Sequence, residues 1–510
     1  MKVRLLFRDR DLDFALDPPP GSQALVEDLG LDVLFRAMAG GDRFLAEVAR
    51  KVVLTSLDDP AEIAYRQGIL DDCLAHPAMV RELYAIAVDA IARQRSVWLW
   101  STQFADSLLN RSVDILGLLL VSMRRVRAIA ETSGPRMRSP GLRRLFEELD
   151  AELDDAFLES VDTHLRLLRR HDEVILTAAL GPGTRGGDYV LRRRVRPRSW
   201  LERLRLREPD TYTYEIAPRD DAGARMLGDI RKRGLALAAD ATAQSSDHVV
   251  SFFTQLRTEL AFYVGCLNLR DELAQLGTVI SRPEALPAAD RSLTAHGLSD
   301  VALSLALRGP AVTNEVASLV MGLLVITGAN RGGKSTFLRS LGLAQVMMQS
   351  GMFVGATAFR APVRHGIFTH FRREEDQGLT SGKLDEELGR MRWIVDHANP
   401  RSLVLLNESF ASTNEREGSE IGRQVITALL DAGVTVVLVT HLYELAHGFF
   451  ADARSDARFL RAERLPDGRR TFRVVDGEPL PTSHGQDLYQ RIFDDGADAA
   501  GVAPPAHSVG

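Results

Sequence analysis

A chain of 510 residues, 45% of them apolar and 26% charged, has room for several domains with real cores and the composition of an ordinary soluble protein. Its net charge of −6 gives no overall attraction to nucleic acid, so any such contact has to come from local basic patches. Two cysteines, Cys73 and Cys266, are too few for a disulfide framework or a metal cluster, and they read as buried thiols in a reducing compartment. The charged N-terminus, Met1 to Arg10, does not read as a signal peptide, and the longest strongly apolar run, Ile115 to Val121, is far short of the ~18 residues a membrane span needs. A cytoplasmic protein with no membrane contact is expected.

Residues 1–180 read as a mainly helical, core-like domain after a short opening strand. Asp58-Asp59-Pro60-Ala61-Glu62 has the proline and acids of a helix start. The long stretch from Ser96 to about Glu131 is apolar-rich and turns basic at Arg124, Arg125 and Arg127. Gly134-Pro135 and Ser139-Pro140 interrupt it, and a charged helix runs from Leu142 to about Arg170. The arginines between 124 and 144 are either phosphate contacts or a solvated helix end.

Residues 181–220 read as a basic, hairpin-like insertion. After the glycine-rich break at 181–187, Asp188–Leu191 and Thr211–Ile216 have the composition of two short strands. Between them Arg192, Arg193, Arg194, Arg196, Arg198, Arg203, Arg205 and Arg207 surround Trp200, opposed only by Glu202 and Glu208. They are the best local candidates for contact with a DNA phosphate backbone, the alternative being a solvated loop whose arginines pair with nearby acids.

Residues 221–300 read as a long helix and its connection. From His248 to Leu276 the apolar positions Val249, Phe253, Leu256, Leu260, Tyr263 and Leu267 form a narrow seam on a helix about 40 Å long. Such a rod either carries a conformational signal to the C-terminal domain or simply packs.

Residues 301–493 carry the chemistry. The apolar run Leu324-Val325-Ile326 reads as a buried parallel strand, and it ends in Gly328-Ala329-Asn330-Arg331-Gly332-Gly333-Lys334-Ser335-Thr336, followed by an amphipathic helix. Strand, glycine loop and helix in that order form a nucleotide-binding P-loop. Its backbone N–H groups turn onto phosphate oxygens, Lys334 reaches the β- and γ-phosphates of ATP, and the Ser335 hydroxyl binds Mg²⁺. A second strand, Ser402–Leu406, ends at Asn407-Glu408, where Glu408 is placed to polarise the attacking water. A third, Val434–Thr440, is followed by His441, a candidate γ-phosphate contact. Ligands of open α/β sheets bind at the carboxyl ends of strands, so the three motifs converge. Residues 494–510, rich in Ala, Gly, Pro and Asp, read as a disordered tail.

These residues resemble the ATPase domain of the MutS family of DNA mismatch-repair proteins from about Asn314 to Gly485. Thr327–Thr336 is similar to the family's T-G-P-N-M-G-G-K-S-T, with Ala329 for Pro and Arg331 for Met. Ser402–Glu408 resembles S-L-V-L-L-D-E, and Thr440–Leu445 resembles T-H-Y-x-E-L. Ser381 stands where the family's S-T-F-x-x-E-M signature places a serine that reaches the nucleotide of the partner subunit, although Gly382-Lys383 replaces Thr-Phe. The helix with Glu259–Tyr263 looks like the family's lever helix. The resemblance implies an α + α/β fold, a helical core and lever followed by a P-loop NTPase domain of ABC/MutS type. It implies a homodimer through the ATPase domains. An F-x-E triplet in the N-terminal region, Phe146-Glu147-Glu148, lies in a charged amphipathic helix, so a short form without the family's mismatch-reading or nuclease domains is expected.

Asn407 departs from the family's aspartate. Asparagine keeps a carbonyl oxygen near Mg²⁺ but loses the charge, so weakened metal binding and slow turnover are expected. The expected function is an ATP-dependent, DNA-binding clamp of MutS type in repair or recombination. The alternatives are a nucleotide-gated clamp on RNA or ribonucleoprotein and a scaffold with weak or no hydrolysis.

Overall fold

The computed structural model describes residues 2–97, 105–169, 175–180, 186–192, 220–318, 321–373, 382–465 and 469–480. Two compact units emerge from its contacts. One comprises Met1–Arg4 and Ala78–Leu260, the other Leu5–Pro77 and Ala261–Gly510. From the N-terminus the helices α1 (Ser22–Leu29), α2 (Leu31–Ala39), α3 (Arg43–Leu54) and α4 (Pro60–Ala75) belong to the second unit. The first holds α5 (Pro77–Ser96), α6 (Ala105–Ser133), α7 (Pro140–Glu152), α8 (Asp155–Arg169), strands β1 (Ile175–Leu180) and β2 (Gly186–Arg192), and α9 (Asp221–Gln275) as far as Leu260. Next come β3 (Glu284–Leu286), β4 (Leu293–Leu298), α10 (Val301–Leu307), β5 (Asn314–Ser318), β6 (Leu323–Thr327), α11 (Lys334–Gln349), β7 (Ala358–Pro362) and β8 (Ile367–Phe371). The chain continues through α12 (Lys383–His397), β9 (Leu403–Asn407), α13 (Glu415–Asp431), β10 (Thr435–Val439), α14 (Tyr443–Ala451), β11 (Ala457–Arg464) and β12 (Arg470–Asp476).

In the first unit, Leu109, Val113 and Leu116 of α6 pack with Leu165 of α8 and with Leu235 and Ala239 of α9. Ser139 caps α7 and Pro140 opens it, so the proline read as a break also starts the next helix. β1 and β2 pair antiparallel. The expected strand at 188–191 falls within β2, whereas β1 lies in a stretch read as helical, and the expected strand at 211–216 lies outside the described residues.

The division differs from the expected boundary at residue 180, because residues 5–77 pack with the nucleotide-binding end of the chain. The reason is a set of buried bonds. The fully buried Arg66 of α4 donates to Leu6 O and to Ser350 O, and Gln349 Nε2 donates to Leu57 O. The opening segment is also not a strand. Its carbonyls at Leu5 and Leu6 accept from Tyr263 Oη and Arg66, so side chains supply bonds that a ladder would otherwise supply.

The second unit holds a six-stranded sheet in the order β12-β11-β6-β10-β9-β8, parallel except for the β11–β12 hairpin. A four-stranded sheet, β3-β7-β4-β5, stands beside it in the same unit. β6 and β10 are buried at every position, which is why they read as unbroken apolar runs and not as alternating ones. On one face Val325, Leu406, Val436 and Leu438 pack with Met391 of α12, Ile426 of α13 and Phe449 of α14. The opposite face carries α11, where Gly342 lets the helix approach so closely that an added Cβ would stand 2.6 Å from Leu405 and 2.7 Å from Leu29.

Register places the site. Val439 is level with Asn407 on one side and with Ile326 on the other, so the carboxyl ends of β6, β9 and β10 finish side by side. Two helical glycines in this unit should respond oppositely to a methyl group. Gly389 in α12 has open space around it, so Gly389→Ala should stabilise by roughly 0.5–1 kcal/mol through backbone entropy. In α13 a Cβ on Gly418 would lie 2.2 Å from Phe410 O, so Gly418→Ala should destabilise by roughly 1–3 kcal/mol despite the better helix former. Thermal melts that shift both variants the same way would contradict this packing.

Candidate nucleotide-binding site

The loop after β6 is shaped by three residues in the left-handed region, Gly328 (φ 110°), Arg331 (φ 59°) and Gly333 (φ 93°). Glycine is also demanded from outside. A Cβ on Gly332 would lie 2.7 Å from Ala462 Cβ, and one on Gly333 would lie 2.6 Å from Phe472 O. The β11–β12 hairpin therefore rests directly on the loop. Helix α11 starts at Lys334 with Gly333 as its cap and no capping side chain, so its first-turn N–H groups are left for a ligand such as phosphate.

Lys334 is buried, and its ammonium donates to Gly328 O at 2.9 Å and Ala329 O at 3.1 Å. Burial holds its pKa below the ordinary lysine value. The nearby Glu408 opposes that shift, and the Arg470 charge on β12 adds to it. Ser335 Oγ donates to Asn407 Oδ1 at 2.8 Å across the gap from α11 to β9. These are two neutral oxygens in contact, with the Glu408 carboxyl next in sequence. They suit a hard divalent cation that balances its charge mainly on phosphate oxygens, and they are the residues that would hold Mg²⁺.

Glu408 sits in a strained turn. Glu408 (φ 54°) and Phe410 (φ 65°) both adopt the left-handed conformation, at a cost of about 1–2 kcal/mol each. Glu408 N donates to Val439 O at 2.8 Å, Ser409 Oγ lies 2.9 Å from His370 O, and Phe410 N donates to Glu387 Oε1. His370 is buried, 2.7 Å from Ser409 Oγ through Nδ1 and 3.1 Å from Glu387 O through Nε2. A carbonyl only accepts, so Nε2 carries the proton in the neutral ring.

Lys334, Ser335, Asn407 and Glu408 thus come together. His441 is exposed just past the end of β10, beside Thr440, whose Oγ1 accepts from Leu442 N at 3.0 Å. Asn330 and Arg331 are exposed on the loop, Ala329 is buried, and Thr336 lies in the first turn of α11. Ser381 lies outside the described residues, as do Arg193, Arg194, Arg196, Arg198, Arg203, Arg205 and Arg207, while Arg192 closes β2. Of the earlier basic stretch, Arg127 is paired with Asp155 and Arg144 donates to Arg4 O at 2.8 Å. Arg124 and Arg125 are exposed and make no ion pair with a described residue.

Phe472 has no counterpart among the residues expected from sequence. It is 48% exposed, adopts φ 62° and has its carbonyl against Gly333, so an exposed aromatic residue adjoins the loop. Only the pairing of β12 with β11 brings it there. No local spacing announced it.

Residues 324–473 match the family model "MutS domain V", and residues 58–276 match "MutS2 N-terminal domain". The chain belongs to the MutS family. Among curated MutS relatives, it is 27% identical over 220 residues to "MutS protein homolog 4" of Mus musculus, covering 41% of this chain and 22% of that protein. It is 33% identical over 160 residues to "Endonuclease MutS2" of Thermus thermophilus, covering 31% of this chain and 21% of the relative. The "DNA mismatch repair protein MutS" of Thermotoga neapolitana is 34% identical over 155 residues, or 30% of this chain and 19% of the relative. The matched stretch spans only about a fifth of the length of these MutS relatives. The domain V match includes the loop, Asn407, Glu408, His441 and Phe472.

Burial, and then the charge of Arg390, push the pKa of His370 down to about 4. The folded state therefore favours neutral imidazole. Above pH ~6.5 folded and unfolded chains are both neutral here and nothing is lost. Between about 6.5 and 4 the unfolded chain takes up the proton first, so stability falls as pH falls, by on the order of 3 kcal/mol from this group. Urea unfolding at pH 7 and pH 4.5 should show a smaller acid-induced loss in His370→Gln than in wild type. Equal losses in the two proteins would contradict the assignment.

Proposed function

We propose that this chain is an ATP-binding and ATP-hydrolysing switch that acts on DNA in mismatch repair or recombination and works as a homodimer. The observation that carries the reading is the meeting of Lys334, Ser335, Asn407 and Glu408 at the level carboxyl ends of three parallel strands. The α11 N-terminus and Lys334 would take the β- and γ-phosphates, a polyanion matched to a helix end and a buried ammonium. Ser335 and Asn407 would hold Mg²⁺, which when bound neutralises phosphate charge. Glu408 would orient the attacking water and accept its proton, and His441 would reach the γ-phosphate. Phe472 would stack on the base. Ser381 would serve the partner's nucleotide, as the MutS resemblance implies.

DNA would meet the basic segment Arg192–Arg207 and the exposed pair Arg124 and Arg125. Contact of this kind positions a duplex by its phosphates without reading sequence. The neutral Asn407 favours a second reading on the same site, a switch that binds ATP and turns it over slowly or not at all, on RNA or a ribonucleoprotein as well as on DNA.

Turnover separates these readings. ATP hydrolysis should be Mg²⁺-dependent, should change with one DNA form among homoduplex, mismatched, branched and single-stranded DNA, and should fall by ~100-fold or more in Glu408→Ala. Asn407→Asp should lower the Mg²⁺ concentration needed. Turnover indifferent to every DNA but responsive to structured RNA would move the reading to RNA, and binding without turnover would make the chain a scaffold. In a binding assay Phe472→Ala should weaken ATP by about tenfold, as loss of one stacking contact does, and leave tripolyphosphate unchanged. Equal weakening of both ligands would place the base elsewhere.

A further inference from the structure

We infer that Glu387 is a positioning residue for Glu408, so that α12 sets the geometry of the water-activating carboxylate. The inference rests on the proposed role of Glu408 in hydrolysis.

The turn Glu408–Phe410 leaves β9 with two non-glycine residues in the left-handed region, a shape the backbone does not hold unaided. Contacts from three elements fix it. The sheet supplies Glu408 N to Val439 O. Strand β8 supplies His370, whose Nδ1 and main-chain carbonyl both lie against Ser409 Oγ, and α12 supplies Glu387 Oε1 for Phe410 N. The same two elements are joined to each other, since His370 Nε2 donates to Glu387 O at 3.1 Å. The His370 ring also stacks on Phe410 at 6.4 Å and 19°. Glu387, His370, Ser409 and Phe410 form one buried cluster directly behind Glu408.

Glu387 is the member whose chemistry asks for an explanation. It is 7% exposed, and its Oε2 has no hydrogen-bond partner among the described residues. Burying a carboxyl with one oxygen unpaired opposes folding, and an apolar side chain on α12 would pack against this core without that penalty. What the carboxyl contributes is an acceptor for the Phe410 N–H, which would otherwise be buried and unpaired at the turn that aims Glu408. Without that acceptor the turn relaxes towards ordinary backbone angles, and Glu408, two residues back, swings with it. The loop and the Lys334 bonds lie on β6 and α11, and Asn407, which Ser335 contacts, is held in the β9 ladder by β10 and β8 and not by this bond.

The test uses the full chain and separates hydrolysis from binding. Steady-state turnover and the equilibrium affinity for a fluorescent ATP analogue are measured for wild type, Glu408→Ala, Glu387→Ala and Glu387→Gln. Glu387→Ala should lower kcat by between about 10- and 100-fold with KM and nucleotide affinity within about twofold of wild type. Glu387→Gln keeps an oxygen acceptor for Phe410 N and should recover most of the lost kcat, a rescue that a merely structural role would not produce. Unchanged kcat in Glu387→Ala overturns the inference, and so does a parallel loss of affinity and kcat in both Glu387 variants. If wild type shows no turnover, or Glu408→Ala turns over like wild type, the reading of Glu408 itself falls and takes the inference with it.

Discussion

The buried ammonium of Lys334 is the constraint on which the site depends. Among the described residues its hydrogen bonds go to two loop carbonyls, Gly328 O and Ala329 O, with Glu408 as the nearby opposite charge and Arg470 as a repelling one. Burial depresses its pKa, so the protonated form is kept at a cost that an approaching polyanion would remove. Beside it the Ser335–Asn407 bond joins the first turn of α11 to the end of β9. Cation, helix N-terminus and neutral oxygen pair face the same place.

The rest of the second unit explains how those groups stay there. Fully buried parallel strands bring Ile326, Val439 and Asn407 level, so residues just beyond them meet without long loops. The β11–β12 hairpin presses on the loop so tightly that Gly332 and Gly333 admit no Cβ. It also brings Phe472 beside the phosphate-binding end. Behind Glu408, the His370–Ser409–Glu387 cluster holds a turn that the backbone alone would not keep.

Sequence revealed the parts whose chemistry is local. The glycine loop, the lysine and the serine have to stand at fixed spacings, and strands buried on both faces show as uninterrupted apolar runs at 324–326 and 436–439. Contacts made across the chain were not legible. An amphipathic helix shows that one face is buried but not against what, so the packing of residues 5–77 with the nucleotide end rests on Arg66 and Gln349, whose partners are distant in sequence. Phe472 and Arg470 reach the loop only through hairpin pairing. Near the expected signature the sequence points to Ser381, whereas the side chain that bonds into the Glu408 turn is Glu387, within the adjoining helix.

The most direct measurement of the central claim is a structure of the full chain with a non-hydrolysable ATP analogue and Mg²⁺. The account predicts phosphates at the N-terminus of α11, with Lys334 Nζ transferred from the Gly328 and Ala329 carbonyls to phosphate oxygen. It also predicts Ser335 Oγ turned from Asn407 towards the metal. An analogue bound away from this loop, or bound here with Lys334 still on both carbonyls, would contradict it.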